Sequence, residues 1–271
     1  MKISRYFILP LAMAAAALTS CEKEIEFEYH DIPEQQVIEG VVSQEGVSVT
    51  LTKTIPTDEP FTDHTVTDAE VLLTDLTSGQ VHNLRPDPEG RFTLPGLAGV
   101  PGHDYSLTVS IGQETYTSSS HMLAPVEIVS AEFNWIKMPY DDVAVLKVEF
   151  TEDEDKLARY WLRVYRNGEP YEWQAIESRN SVDGLVTGMM LTSRKDTDEE
   201  DDASVLREGD VIDLEVLPIS EEMADYLDSL NNGDYNGNRM FEGAYCLGYF
   251  LAAPIARSQL IYHPADIPYA E

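Results

Sequence analysis

Few residue types in this sequence are spaced for catalysis or for metal binding. The six histidines are dispersed, with none of the His-x-x-x-His or Cys-x-x-Cys pairs that zinc sites use: His30, His64, His82, His103, His121 and His263. There is no Gly-x-Ser-x-Gly elbow and no phosphate-binding loop. Ser120 and His121 are adjacent in sequence but are not a nucleophile–base pair, because neighbouring side chains on a strand point to opposite faces; Ser119-Ser120-His121 is therefore no catalytic motif. The sequence therefore predicts no catalytic residues, no metal site and no cofactor.

Acidic side chains leave two kinds of site open, a calcium site and a hydrolase site. Asp196, Asp198, Asp201 and Asp202 could supply oxygen ligands to calcium. The run from 196 to 202 lacks the glycine that an EF-hand loop requires, and we interpret it as a hydrated loop. Two scattered carboxylates could also form a glycosidase-type hydrolase site, but nothing in the sequence selects a pair.

Aromatic residues give a better indication of binding. In the segment from 160 to 165, strand alternation places Trp161, Arg163 and Tyr165 on one face and the other three side chains on the opposite face. Trp173 on the next strand extends this aromatic surface, which suits a sugar or a partner protein. The alternative is that both faces pack inside a sandwich.

The amino terminus predicts export. Lys2 and Arg5 precede an apolar run from 6 to 17, which is too short for a stable membrane anchor, and small residues follow it. Leu18-Thr19-Ser20-Cys21 resembles a bacterial lipobox, although Thr19 replaces the more usual Ala or Gly. That resemblance implies cleavage before Cys21 and acylation of this cysteine with chains such as palmitate. The alternative is an ordinary cleaved signal with an incidental cysteine.

Charge restricts the partners of the chain. The 49 acidic and 18 basic residues give a formal net charge of −31. Such a surface repels nucleic acid and anionic headgroups, because phosphate binding depends on Lys and Arg. The acidic tract from 22 to 28 resembles a surface-export signal of lipoproteins, with a solvated spacer as the alternative. With Cys21 acylated, Cys246 has no disulfide partner, and we interpret it as a small buried hydrophobe.

Period-two and β-branched stretches separated by turn residues predict a mainly β chain. We expect a signal peptide over 1–20 and a lipidated tether over 21–36. An N-terminal Greek-key sandwich, Ig-like or prealbumin-like, is expected over 37–124, and a second β-rich domain over 125–271. One amphipathic helix is predicted over 220–232, capped by Ser220 and ended by Asn232-Gly233.

Several short segments in this order resemble one bacterial family. They are Cys21-Glu22-Lys23-Glu24-Ile25, Val37-Ile38-Glu39-Gly40, Arg207-Glu208-Gly209-Asp210-Val211, Ile219-Ser220 and Leu247-Gly248-Tyr249-Phe250. Together they are similar to the Bacteroidota outer-membrane lipoproteins catalogued as domain of unknown function 4249. The resemblance implies an accessory role beside TonB-dependent outer-membrane receptors and supplies no catalytic residues. Pro254 departs from the continuous strand expected there, which puts the pairing of the last strand in doubt.

The sequence thus favours a lipid-anchored outer-membrane protein that faces the cell exterior. We expect it to be a non-catalytic capture or accessory subunit of a TonB-dependent uptake system, with an unknown ligand. Two alternatives remain, which are a structural or adhesive surface lipoprotein and a hydrolase with an unrecognised carboxylate site.

Overall fold

A computed structural model describes residues 34–55, 64–152, 158–195, 204–233 and 238–270. Cys21 and the acidic run from 196 to 202 lie outside these ranges. The strands are β1 (Gln36–Ser43), β2 (Gly46–Lys53), β3 (Glu70–Asp75), β4 (Gln80–Pro86), β5 (Phe92–Thr93), β6 (Asp104–Ile111), β7 (Glu114–His121), β8 (Ile128–Ile136), β9 (Val143–Thr151), β10 (Arg159–Arg166), β11 (Glu169–Glu177), β12 (Leu185–Arg194), β13 (Val211–Ile219), β14 (Glu242–Gly243), β15 (Cys246–Ala252) and β16 (Ala256–Ile261). A 3-10 helix covers Ser178–Asn180, and helix α1 covers Glu221–Asn231. The prediction of a mainly β fold with one α-helix is confirmed for these ranges.

The first sheet has nine strands in the order β14-β7-β6-β3-β4-β5-β2-β1-β15 and folds back on itself into two layers. Alternate apolar side chains of its strands fill one core between the layers. Gly40 on β1 permits their close approach, because a Cβ there would lie 2.9 Å from Leu107 Cδ2 on β6. This packing gives the sandwich that the sequence predicts, with β14 and β15 added from late in the chain.

The remaining strands form a second sandwich. Its sheets have the orders β11-β10-β13-β16 and β12-β9-β8, and their facing side chains share one apolar core. Asn167 and Gly168 have φ values of 53° and 87°, which is the left-handed geometry of a two-residue hairpin turn, and they join β10 to β11. The predicted division of the chain at residues 124 and 125 stays a prediction.

Strand β15 links these two groups of strands. It runs parallel to β1, with Ile38 opposite Gly248, and thereby lies at one end of the nine-stranded sheet. Pro254 falls between β15 and β16, where the chain leaves that sheet, and β16 pairs antiparallel with β13. The doubt about the last strand is therefore resolved, since the proline occupies the crossover and not a strand interior.

Helix α1 begins where the sequence predicts. The Ser220 hydroxyl accepts a hydrogen bond from the backbone N–H of Met223 at 3.2 Å, which caps the first turn. Met223, Ala224 and Leu227 are buried on its inner face. Within the described part of the chain, no helix has the length and apolar character needed to cross a membrane.

Candidate functional site

The alternation predicted for β10 is confirmed. Tyr160, Leu162 and Val164 are buried in the core between the two sheets of the second sandwich. Trp161, Arg163 and Tyr165 project from the opposite, outer face of the four-stranded sheet. A regular strand imposes this division locally, since successive side chains point to opposite faces.

One end of that outer face is covered. Trp161 packs in a third apolar cluster with Leu217 of β13, with Leu227 of α1 and with Leu251 of β15. Trp161 is only 8% exposed, so its ring stabilises the fold by packing and offers almost no surface to a ligand. The alternative of a packed aromatic face therefore describes Trp161 better than an open surface does.

Next to the covered end, the outer face opens into a groove of about 420 Å³, which we call the aromatic groove. Its lining combines strand and helix residues from distant parts of the chain: Glu39, Trp161, Arg163, Val164, Tyr165, Pro170, Tyr171, Glu172, Trp173, Tyr226, Leu227, Leu230 and Tyr249. All four residues predicted as a ligand surface line this groove, which shows their common location but does not test ligand binding.

Trp161 makes edge-to-face contacts with two other rings of the aromatic groove. The centroid of Trp161 lies 6.3 Å from that of Trp173 and 5.6 Å from that of Tyr249, with interplanar angles of 86° and 83°. Tyr226 of α1 lies 6.0 Å from Tyr249 between ring centroids. Edge-to-face contacts suit the charge distribution of aromatic rings and restrict their rotation. Trp173 is half-buried, so part of its ring remains open to the groove.

Arg163 is fixed by two contacts. Its guanidinium lies 4.9 Å above the Trp161 ring centroid and 2.5 Å from a Glu215 carboxylate oxygen, measured from Nη2. Arg257 also donates to Glu215, at 2.9 and 2.6 Å, and pairs with Glu45 of the turn after β1. Since each cation has a carboxylate partner, these ion pairs leave no excess positive charge at the groove.

Two residues that line the aromatic groove carry a buried nitrogen donor without a partner. Among the residues that the structure describes, Trp161 Nε1 and Arg163 Nε are buried and have no hydrogen-bond partner. An unpaired buried donor costs about 1–3 kcal/mol, so such groups are uncommon in folded proteins.

Burial also alters the titration of the groove's acids. Desolvation raises the pKa of Glu39, and it raises the pKa of Tyr249 and Tyr226, with the nearby Glu39 carboxylate adding to both shifts. The phenols therefore stay protonated at neutral pH and keep an O–H available as a donor.

A second depression of about 450 Å³ adjoins the aromatic groove at Tyr165, which lines both. Its other lining residues come from β13, β16 and the turn at Gly168, and they include the polar side chains of Asp213, Glu215 and Gln259. The Gln259 amide donates to Asp213 at 2.7 Å, and the Tyr165 hydroxyl donates to Glu215 at 3.3 Å. The open half of the outer face thus gains polar side chains beyond Tyr165.

Sequence reasoning missed Tyr226, Tyr249 and Glu39 as parts of this site. They lie on α1, β15 and β1, and no local pattern connects these elements with β10. The apolar face of α1 was the only sequence signal, and it indicated burial without naming the partner surface.

Elsewhere in the described ranges, no group of three or more His, Cys, Asp or Glu residues could hold a metal ion. Cys246 is buried, and burial raises the pKa of its thiol to about 12, which makes it a poor nucleophile. This position agrees with the predicted small buried hydrophobe.

No family model matches this chain, and no curated protein matches it. A two-domain fibronectin type-III segment from chicken tenascin is 13% identical with a TM-score of 0.21, and the match covers 69% of this chain and 92% of that chain. A pullulanase complexed with maltotriose, from Anoxybacillus sp. LM18-11, is 9% identical with a TM-score of 0.21, and the match covers 68% of this chain and 24% of that chain. At such low identity and TM-score, neither likeness carries an argument about function.

Proposed function

We propose that this chain is a lipid-anchored outer-membrane protein, facing the cell exterior, that captures a ligand for a TonB-dependent uptake system without catalysing a reaction. The observation that carries the capture role is the aromatic groove, with ordered rings, a half-buried Trp173 and two buried, unpartnered donors on residues of its lining. Binding sites are typically concave, mostly apolar and equipped with a few fixed polar groups.

The anchor part of the proposal is supported by sequence. The basic start, the apolar run and the lipobox-like Leu18-Thr19-Ser20-Cys21 are the features of a lipoprotein signal. More than one acyl chain would make attachment effectively permanent, whereas a single chain binds a membrane only marginally. The acidic tract from 22 to 28 supports an outward orientation.

The partnership with a TonB-dependent receptor is supported by the family resemblance. The matching segments extend from Cys21 to Phe250, which is nearly the whole length of the chain after the signal. Surface capture beside a receptor also fits the strong negative charge, because it disfavours nonspecific adhesion to anionic surfaces.

The two cysteines provide a matched test of the anchor. In cells fed a labelled fatty acid, we expect the wild-type protein and Cys246→Ser to carry the label and to fractionate with the outer membrane. Cys21→Ser should lose both the label and the membrane association, because the remaining cysteine, Cys246, is buried in the fold and does not follow a signal sequence. Labelling that survives in Cys21→Ser, or wild-type protein found free in the medium, would refute the anchor.

A further inference from the structure

We infer that the aromatic groove binds a neutral, hydroxyl-rich ring compound, namely a sugar or a short oligosaccharide, stacked against Trp173. This inference rests on the proposed capture role, and it adds the chemical class of the ligand. It follows from the rings, the unpartnered donors and the balance of charge in the groove.

Trp173 is placed to act as a stacking platform. Its edge-to-face contact holds its ring plane at 86° to the plane of the Trp161 ring, so its orientation is set before a ligand arrives. Trp161 itself is too buried to offer a face. A flat apolar face beside polar groups suits a sugar ring, which has C–H groups on its faces and hydroxyls around its edge.

The two unpartnered nitrogen donors favour a ligand that carries oxygen acceptors. Trp161 Nε1 and Arg163 Nε can only donate, so a ligand that pairs with them must bring hydroxyl, ether or carbonyl oxygens. Both atoms are buried, so a ligand oxygen pairs with them only after the side chains around them move. A purely apolar ligand would leave both unpaired.

The charged side chains that line the groove favour a neutral ligand over an ion. Glu39 and Glu172 line the groove, and Arg163, the only cation among the described lining residues, is paired with Glu215, so an anionic ligand meets net repulsion. The Arg163 guanidinium already covers the face of Trp161, so a cationic ligand finds no free aromatic face on that ring. A neutral ligand avoids both conflicts.

The polar depression beyond Tyr165 extends this site. Asp213, Ser258 and Gln259 line it and present both donors and acceptors. Because the two depressions meet at Tyr165, a second sugar unit linked to the first could follow the outer face from the rings to the polar side chains. A short oligosaccharide therefore suits the full length of the open face better than a single ring.

Titration with defined sugars tests the inference. The protein lacking the signal peptide would be titrated with neutral gluco-, manno-, galacto- and xylo-oligosaccharides, with oligogalacturonate as the anionic probe and glucosamine oligomers as the cationic probe. Calorimetry and tryptophan fluorescence would report binding. We expect at least one neutral probe to bind and both charged probes to fail.

Variants locate the binding. We expect Trp173→Ala to weaken the neutral sugar about tenfold or more, as loss of an aromatic anchor does, with Trp173→Phe retaining most of the affinity. Tyr140→Ala is the matched control, because Tyr140 is fully exposed on the loop between β8 and β9 and should have no effect. Undiminished affinity in Trp173→Ala would overturn the assignment of the sugar to this groove.

Failure of the inference is distinguishable from failure of the proposed function. If wild-type protein binds none of the neutral sugars but still co-purifies with a receptor, the inferred ligand class is wrong and the proposed partnership with the receptor stands. If Trp173→Ala abolishes receptor co-purification and no sugar binds, the groove is a protein-docking surface, and the inference is also overturned.

Discussion

Replacing Gly248 by alanine should destabilise the protein by about 3 kcal/mol or more, a large part of the 5–15 kcal/mol that typically separates folded from unfolded domains. Gly248 has φ of 98°, which L side chains rarely adopt. A Cβ at this position would also overlap the carbonyl oxygen of Ile38, the residue opposite it in the parallel β1–β15 pair. Because backbone atoms cannot rotate away, β15 would have to separate from β1.

Gly79→Ala is the matched control for this change. Gly79 has φ of 75°, but no atom lies within 4 Å of a Cβ built there. It therefore isolates the cost of a left-handed backbone, about 1 kcal/mol, from the cost of the overlap. Urea denaturation of both variants would measure the difference. Equal losses of stability in the two variants would show that β15 does not lie against β1 as described.

Trp161→Ala should cost about 3–5 kcal/mol, the range for removal of a buried large aromatic side chain. Trp161 contributes to the cluster that joins the outer face of the four-stranded sheet to α1 and β15. Its loss would leave a cavity under Leu227 and remove the ring contacts to Trp173 and Tyr249. We therefore expect both a lower urea midpoint and a disordered aromatic groove.

Leu191→Ala provides the comparison for Trp161→Ala. Leu191 is 67% exposed on β12, so its truncation should change the free energy of unfolding by less than about 0.5 kcal/mol. Trp161→Phe should recover much of the lost stability by refilling part of the cavity. A loss below about 1 kcal/mol for Trp161→Ala would mean that the ring is open to solvent and not packed under α1.

The sequence predicts the local parts of this fold well. The alternation in β10 correctly separates Trp161 and Arg163 from Tyr160 and Leu162, because the direction of strand side chains depends only on their spacing. Ser220 likewise identifies the start of α1, since a cap is a contact within one turn.

The long-range parts could not be predicted in this way. The pairing of β1 with β15 joins segments at opposite ends of the chain, and either segment alone shows only the β-rich pattern of an ordinary strand. For the same reason, the positions of Tyr226, Tyr249 and Glu39 around Trp161 depend on tertiary packing that no spacing rule encodes. The alternation alone left open whether the face with Trp161 is open or packed, and the structure shows that α1 and β15 cover Trp161.

Co-purification from intact cells tests the proposed function most directly. The wild-type protein, carrying a carboxy-terminal tag, would be cross-linked in living cells and isolated from detergent-solubilised outer membranes, with Cys21→Ser as the unanchored control. We predict that a TonB-dependent β-barrel receptor is enriched with the wild-type protein and absent from the control. Recovery of the wild-type protein without any such receptor, in repeated preparations, would contradict its role as an accessory subunit of uptake.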